Sequence, residues 1–408
     1  MVRRDNYMRH ITKWMNKPMI KVITGVRRCG KSYLMRMIID KLRSEGVSEE
    51  AILFINLEMF DNQYLHMAKE LHDYIKTNSP ESGRVYVLID EIQNCMGWER
   101  VTASLLAEER YDIYLTGSNA SMLSSDLATN IAGRYIEIKV YPLSFSEYID
   151  FSKQLTKKDV SKESIFNEYL HYGGFPGLFT VIDDDEAKRQ YLSSLRDTVV
   201  LRDTVQRHDI RDVDLLERVM AYCFDNIGQT FSSATVVNYL KSINLSPSSP
   251  TVATYLNALA DAMVLEKASR YDIKGKRIMQ RMEKYFVCDL GIRHSEIGYR
   301  DNDIGQILEN VVFNELLTRG YEVFVGKEGN REVDFVAIKG DERIYIQVTY
   351  LLATSEVIER EYRILLAVGD AYPKLVLSMD RIPIGPRDGI RHQYIPDFLL
   401  GVRNQTPY

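Results

Sequence analysis

Gly25-Val26-Arg27-Arg28-Cys29-Gly30-Lys31-Ser32 follows a short apolar run, Ile20–Thr24, and precedes Tyr33–Leu42, where Leu34, Ile38, Ile39 and Leu42 recur at helical spacing. This is G-x-x-x-x-G-K-[ST] set between a strand and a helix. Glycines let such a loop curl around a phosphate chain, and the amides at the helix N-terminus present a partial positive charge to it. Lys31 is expected to reach the β- and γ-phosphates of ATP, and the Ser32 hydroxyl to ligate Mg²⁺. Residues Gly25 to Ser32, with Tyr33 on the first helical turn, are the candidate nucleotide-binding segment.

Working outward, five apolar runs suit buried strands: Ile20–Thr24, Ala51–Glu58, Val85–Glu91, Asp112–Ser118 and Tyr135–Leu143. Helical stretches separate the first four, which is the βαβ rhythm of a parallel sheet. The third run ends on Asp90 and Glu91, where carboxylates meet ligands at the C-terminal edge of a parallel strand. Asp90 is expected to hold Mg²⁺ and Glu91 to act as general base on water. A strand lies between the loop and this run, and a glutamate follows the aspartate. That resembles the additional-strand, catalytic-glutamate class of ATPases. In that class the polar end of Tyr114–Asn119 offers Thr116 or Asn119 as the first sensor of the γ-phosphate.

Length and composition bound the remainder. At 408 residues, more than one domain is expected. No apolar run reaches the ~18–20 residues of a membrane span, and the basic first 20 residues contain no continuous apolar stretch of the secretory kind. Cys29, Cys95, Cys223 and Cys288 are too scattered for a disulfide framework or a C-x-x-C metal site, so a reducing cytoplasm is expected. Cys29 reads as a small filler in the loop, or as an oxidisable thiol if accessible. The net charge of −5 argues against a globally basic nucleic-acid binder while leaving room for a local basic patch.

Further motifs sharpen the picture. Asp90-Glu-Ile-Gln-Asn94 with Gly97-Trp98-Glu99, Gly133-Arg134 with Tyr141-Pro-Leu-Ser-Phe-Ser-Glu147, and Tyr172-Gly-Gly-Phe-Pro176 join the phosphate loop. Together they resemble a large prokaryotic family of AAA-type (AAA+) P-loop ATPases with a C-terminal domain of unknown function, similar to archaeal ATPases joined to winged-helix and nuclease-like modules. The resemblance implies an α/β fold: a P-loop NTPase parallel sheet, a helical lid, a winged helix-turn-helix and a C-terminal α/β nuclease-like domain. The corresponding boundaries are 1–150, 151–208, 209–298 and 299–408. It also implies ATP and Mg²⁺ as cofactors, and a homo-oligomer, with a ring as its form, in which Arg134 reaches a neighbouring subunit's site. Gly177 follows Pro176 where many relatives carry a second-sensor arginine, so Arg196 or Arg202 is the expected substitute.

The C-terminal half carries two more candidate sites. Val213–Ile227, Thr230–Leu240 and Thr251–Leu259 read as helices, with Ser232 or Ser233 capping the second. Strands Val264–Tyr271 and Lys284–Cys288 follow, the pattern of a winged helix. Between Glu266 and Lys284 stand seven basic and three acidic side chains, and Lys274, Lys276 and Arg277 are the candidate DNA-backbone contacts. Beyond it, Glu309 on the helix Ile304–Thr318, Asp334 on Glu332–Ala337 and Gln347 on Ile344–Tyr350 resemble the metal positions of the PD-(D/E)xK nuclease core. That chemistry needs several oxygen ligands for Mg²⁺ and a lysine beside the water. Here glutamine stands where glutamate is commoner, and Thr349 takes the lysine position. The expectation is a degenerate site that holds structure without cutting. The leading function is Mg-dependent ATP hydrolysis coupled to a C-terminal half that engages DNA. An ATP-gated nuclease and a STAND-like regulatory switch binding a protein partner stay open as alternatives.

Overall fold

The computed structural model describes residues 2–118, 133–156, 160–181, 184–329, 331–382 and 385–402. The chain divides into two compact units, Met1–Tyr141 with Asp261–Met263, and Pro142–Ala260 with Val264–Tyr408. Among the described residues, no helix is long and apolar enough to cross a membrane.

The first unit is a mixed α/β layer built on five parallel strands: β1 (Ile20–Thr24), β2 (Ile52–Asn56), β3 (Val85–Asp90), β4 (Tyr111–Gly117) and β5 (Tyr135–Lys139). They are ordered β2-β3-β4-β1-β5, so β4 separates the phosphate-loop strand from the acidic strand. Among the described residues, helices α1 (Asp5–Trp14), α2 (Lys31–Ser44), α3 (Ala68–Asn78) and α4 (Trp98–Ala107) accompany them. β1, β3 and β4 are buried throughout, as expected of apolar runs covered on both faces. The apolar face of α2 (Leu34, Ile38, Ile39, Leu42) is buried, and Leu71, Ile75, Trp98, Val101 and Leu105 pack from α3 and α4. β5 ends at Lys139, four residues before the end expected from its apolar pattern: Leu143 instead donates its amide to the Gly174 carbonyl.

One buried ion pair crosses this sheet. The Lys21 ammonium in β1 donates to the Asp112 carboxylate in β4, and both side chains are fully buried. Asp112 also accepts from the Asn16 amide (2.9 Å) and the Tyr114 hydroxyl (2.8 Å), and Lys21 also donates to the Lys17 carbonyl (3.2 Å). Burial pulls the Lys21 pKa down, and Asp112 opposes that pull.

The second unit begins with helices α5 (Phe145–Thr156), α6 (Lys162–Tyr172) and α7 (Asp185–Thr198). Gly173 adopts φ +74° and ends α6. A 3-10 turn, Pro176–Thr180, intervenes, and a π-helical segment, Val199–Val205, follows α7. Then come α8 (Val213–Asp225), β6 (Thr230–Phe231), α9 (Ser233–Ser242) and α10 (Ser249–Asp261), and the hairpin β7 (Leu265–Asp272)–β8 (Arg277–Val287). Ser232 is the cap of α9, in a reciprocal capping box with Thr235. After α11 (Leu290–Ile297) follow α12 (Ile304–Thr318), β9 (Glu322–Glu328), β10 (Arg331–Lys339), β11 (Glu342–Val348), α13 (Ser355–Leu366), β12 (Lys374–Ser378), β13 (Ile390–Tyr394) and α14 (Ile395–Leu399). β6 to β13 form one sheet, ordered β13-β12-β11-β10-β9-β7-β8-β6. Parallel pairing of β7 with β9 makes the hairpin continuous with the α/β part that follows it.

Removing one partner of a buried ion pair leaves an unpaired charge, which costs about 3–5 kcal/mol, whereas an apolar replacement of both is often neutral. Asp112→Ala is therefore expected to lower the stability of the first unit by that amount, and Lys21→Met with Asp112→Leu to recover most of it. Both tryptophans, Trp14 and Trp98, lie in this unit. Urea unfolding of the whole chain followed by their fluorescence measures the effect, and unchanged unfolding of Asp112→Ala would remove the pair as a stabilising element.

Candidate nucleotide site and a second acidic cluster

At the C-terminal edge of β1 the chain enters the phosphate loop through Gly25, at φ +153°. A Cβ there would lie 2.2 Å from the Val140 carbonyl oxygen, so only glycine fits. Arg28 (φ +63°) and Gly30 (φ +108°) supply the left-handed turns that bring the chain into α2. Lys31, buried on the first turn of α2, donates to the carbonyls of Gly25 (2.8 Å) and Val26 (3.3 Å). The ammonium is thus folded back over the loop and held by neutral groups. Tyr33 is exposed on the same turn, and Arg27 pairs with Glu58 at 3.1 Å.

The loop is supported from behind by a residue whose role the sequence did not signal. Arg4 is almost fully buried; it donates through Nη1 to the Cys29 carbonyl (3.0 Å) and through Nη2 to the Tyr141 carbonyl (2.9 Å). Its guanidinium also lies over the Tyr7 ring, 4.5 Å from the centroid. Cys29 is buried and its thiol pKa is raised by burial, which answers the expectation of an oxidisable loop thiol in the negative.

The acidic strand delivers the other half of the site. Asp90 and Glu91 are buried; Thr116, at the end of β4, donates to Asp90 Oδ1 and accepts from the Glu91 amide at 2.9 Å. Asn56, from the end of β2, donates to Asp90 Oδ2 at 3.3 Å. Burial raises the Asp90 pKa, against hydrogen bonds from Thr116 and Ser32 that favour the carboxylate. Glu91 takes φ +56°, and its carboxylate accepts from Gln93 Nε2. Lys31, Ser32, Asp90, Glu91 and Thr116 therefore belong to one constellation at one sheet edge. Its donor set fits a Mg²⁺-bound triphosphate: a glycine cradle and a buried lysine for phosphate, with a hydroxyl bonded to a buried carboxylate for the ion. Arg134 is exposed immediately before β5, where its carbonyl accepts from the Ile20 amide (2.9 Å). Asn119 lies outside the described residues.

In the second unit, the expected metal positions do come together. Asp334 Oδ2 accepts from the Val348 amide (2.8 Å), and Gln347 Oε1 accepts from the Asp334 amide (3.3 Å). Glu309 Oε2 lies 3.6 Å from Lys284 Nζ, which also reaches Glu332 Oε1 at 2.8 Å. No lysine stands on β11 (Glu342–Val348). Lys339 donates to the Arg319 carbonyl (2.6 Å), and Lys284 of β8 enters the cluster.

Part of the basic stretch around the hairpin is taken up by partners within the fold. Lys267 donates to Asn257, Arg270 pairs with Glu332, and Lys284 is buried. Lys274, Lys276 and Arg277 remain exposed at the tip, with Arg277 3.5 Å from Asp272. Arg196 pairs with Asp197 (2.6 Å) and Glu296 (2.7 Å).

A phosphate loop after β1, an acidic β3 and β4 between them define an AAA-type nucleotide-binding domain. An AAA domain family model matches residues 17–149, and a "Domain of unknown function (DUF8612)" matches residues 163–303. An uncharacterized protein of Haemophilus influenzae is 38% identical over 401 residues, covering 98% of this chain and 99% of its own. Uncharacterized protein MJ1544 of Methanocaldococcus jannaschii is 31% identical over 376 residues, covering 89% and 80%. The chain belongs to the family of these two proteins. Among solved structures, the Walker-type ATPase PABY2304 of Pyrococcus abyssi has a similar fold, with a TM-score of 0.53 at 15% identity over 73% of this chain and 96% of that one.

Loss of a hydrogen bond from a charged donor costs about 1.5–3 kcal/mol, and each 1.4 kcal/mol is tenfold in affinity. Arg4→Met is accordingly expected to weaken binding of a fluorescent ATP analogue at least about tenfold. An unchanged dissociation constant would show that the loop keeps its shape without the arginine.

Proposed function

We propose that this protein binds and hydrolyses Mg-ATP and uses the cycle to control a C-terminal half that engages DNA. The observation that carries the hydrolytic part is Thr116, which ties Asp90 and Glu91 into one hydrogen-bonded unit beside the phosphate loop. Lys31 leaves its two backbone carbonyls to take the phosphate charge, and Ser32 and Asp90 hold the magnesium. The ion, when bound, neutralises charge on the phosphate oxygens. Glu91 takes the proton of the attacking water as general base, with Gln93 orienting its carboxylate. Arg134, exposed and immediately before β5, acts on the site of a neighbouring copy, where a guanidinium stabilises the charge that spreads over the transferring group. Hydrolysis then requires a homo-oligomer.

For the remainder of the chain we assign 1–150 to the ATPase core, 151–208 to a helical lid, 209–298 to a winged helix-turn-helix and 299–408 to a nuclease-like domain. The winged-helix reading is supported by the succession α8-β6-α9-α10-β7-β8, with β6 and β7 both antiparallel to β8. The nuclease-like reading is supported by α12 followed by the antiparallel run β9-β10-β11 and a helix, with Asp334 and Gln347 touching across β10 and β11. Three exposed basic side chains at the hairpin tip, and no free lysine on β11, favour holding DNA over cutting it.

Three substitutions separate the proposed roles in an ATPase assay. Lys31→Ala is expected to abolish nucleotide binding. Glu91→Gln keeps binding but loses about 10²–10⁴-fold in turnover, the range of general-base catalysis. Arg134→Ala keeps binding and loses turnover, and wild-type turnover per chain rises with protein concentration. Near wild-type hydrolysis by Glu91→Gln would remove it as the base, and concentration-independent turnover unaffected by Arg134→Ala would remove action between copies.

For the DNA part, Lys274→Ala, Lys276→Ala and Arg277→Ala combined are expected to weaken duplex binding and to flatten the slope of log affinity against log salt by about 2–3, since each phosphate contact releases roughly one counterion. An unchanged slope would leave the hairpin tip as a solvated face.

A further inference from the structure

A nuclease-like domain implies a divalent metal between Glu309, Asp334 and Gln347, and the residues present do not fit one. Asp334 Oδ2 and Gln347 Oε1, two of the expected ligand atoms, already accept from backbone amides of the paired strands β10 and β11. A metal taking either atom would strip a buried N–H of its partner, and such groups are rarely left unpaired. Glu309 Oε2 is buried and has no hydrogen-bond partner; its counter-charge is Lys284, at 3.6 Å. The turn before β6 closes on the same atom, since a Cβ at Gly228 would lie 3.1 Å from it.

Lys284 itself is buried, with 6% of its side chain exposed, and its ammonium stands 2.8 Å from Glu332 Oε1. Arg270 reaches the other oxygen of Glu332 at 2.9 Å. The ammonium thus stands between two carboxylates from different elements, Glu332 of β10 and Glu309 of α12. A divalent ion seated among these carboxylates would therefore meet a resident cation, buried and unable to reach water without breaking its contacts.

We propose that the Lys284 ammonium is the permanent cation of this cluster, standing in place of a metal and pinning the hairpin strand β8 to α12 and β10. The inference rests on the nuclease-like reading of 299–408 and explains why that domain holds structure without cutting. The hairpin that presents Lys274, Lys276 and Arg277 is thereby fixed by charge, as well as by strand pairing, to the α/β part.

The test counts Mn²⁺ bound to nucleotide-free full-length protein by the loss of its free-ion electron paramagnetic signal. Sites are assigned to the cluster by their disappearance in Glu309→Gln. Wild type is expected to show no cluster site, and Lys284→Met to gain one per chain on the oxygens of Glu309 and Glu332 that the ammonium now faces, with Asp334 Oδ2 and Gln347 Oε1 still on their strand amides. Lys284→Gln replaces Lys284→Met if the latter does not fold by circular dichroism, and the wild-type measurement decides in either case. A cluster-bound Mn²⁺ in wild type overturns the inference; without DNA cleavage it leaves the reading of a non-cutting domain intact. Cleavage by wild type that stops in Asp334→Ala overturns both. A folded Lys284→Met that gains no site shows that the lysine does not stand in a metal's place, and also overturns the inference.

Discussion

A single buried guanidinium holds the nucleotide site in shape. Arg4 bonds to the Cys29 carbonyl in the phosphate loop and the Tyr141 carbonyl beyond β5, so the segment before α1, the loop and the end of the sheet share one fixed point. The loop needs such support because its amides must converge on a phosphate chain, which leaves its carbonyls pointing backwards and short of donors. Gly25 adds the steric counterpart, since the loop passes so close to Val140 that no side chain is tolerated. With the loop fixed, α2 begins where its free amides face the site, and Lys31 is placed over the loop.

Much of the first unit was legible because its signals are local. The phosphate loop, the apolar runs of β1, β3 and β4, and Asp90-Glu91 at a strand end are each read within ten residues of sequence, and the five-stranded parallel sheet follows from their order. Arg4 was not legible: it stands among Arg3, Arg9 and Lys13, and only the contact with Cys29, 25 residues away, distinguishes it from surface charge. Asn56 was missed for the same reason, since its bond to Asp90 depends on the registry of β2 with β3. The count of basic residues in the hairpin misled in the opposite direction. Lys284 and Arg270 look like wing charges in sequence, but strand pairing turns them towards Glu309 and Glu332. Net charge over a window carries no information about which face of a strand each residue occupies.

The Tyr172-Gly-Gly-Phe-Pro176 turn, which carries part of the family resemblance, acts locally as a packing joint. A Cβ at Gly173 would collide with the Asp289 carboxylate, and one at Gly174 would lie 2.4 Å from the Leu143 carbonyl. Asp289 accepts from the amides of Gly174 (2.6 Å) and Gly291 (2.8 Å), and burial raises its pKa to about 7 despite these bonds. The glycines let three distant segments meet around one carboxyl, at residues 143, 174 and 289. The pair is thus demanded by close approach in the fold, independently of any contact with nucleotide.

The two acidic sites of this chain are both built from carboxylates around a lysine, in opposite electrostatic states. Lys31 is held by two neutral carbonyls, and a phosphate that replaces them offers the ammonium a full opposite charge and a stronger, charge-assisted bond. Lys284 is held by carboxylates in a buried setting, where separating one partner costs about 3–5 kcal/mol. Asp90 accepts from side chains, Thr116 and Asn56, that can rearrange around an incoming ion. Asp334 accepts from a backbone amide that cannot move without parting β10 from β11. A lysine among carboxylates therefore does not specify a reactive site. What distinguishes the two is whether the partners already present are weaker than the ligand that would replace them: for Lys31 they are, and for Lys284 they are not.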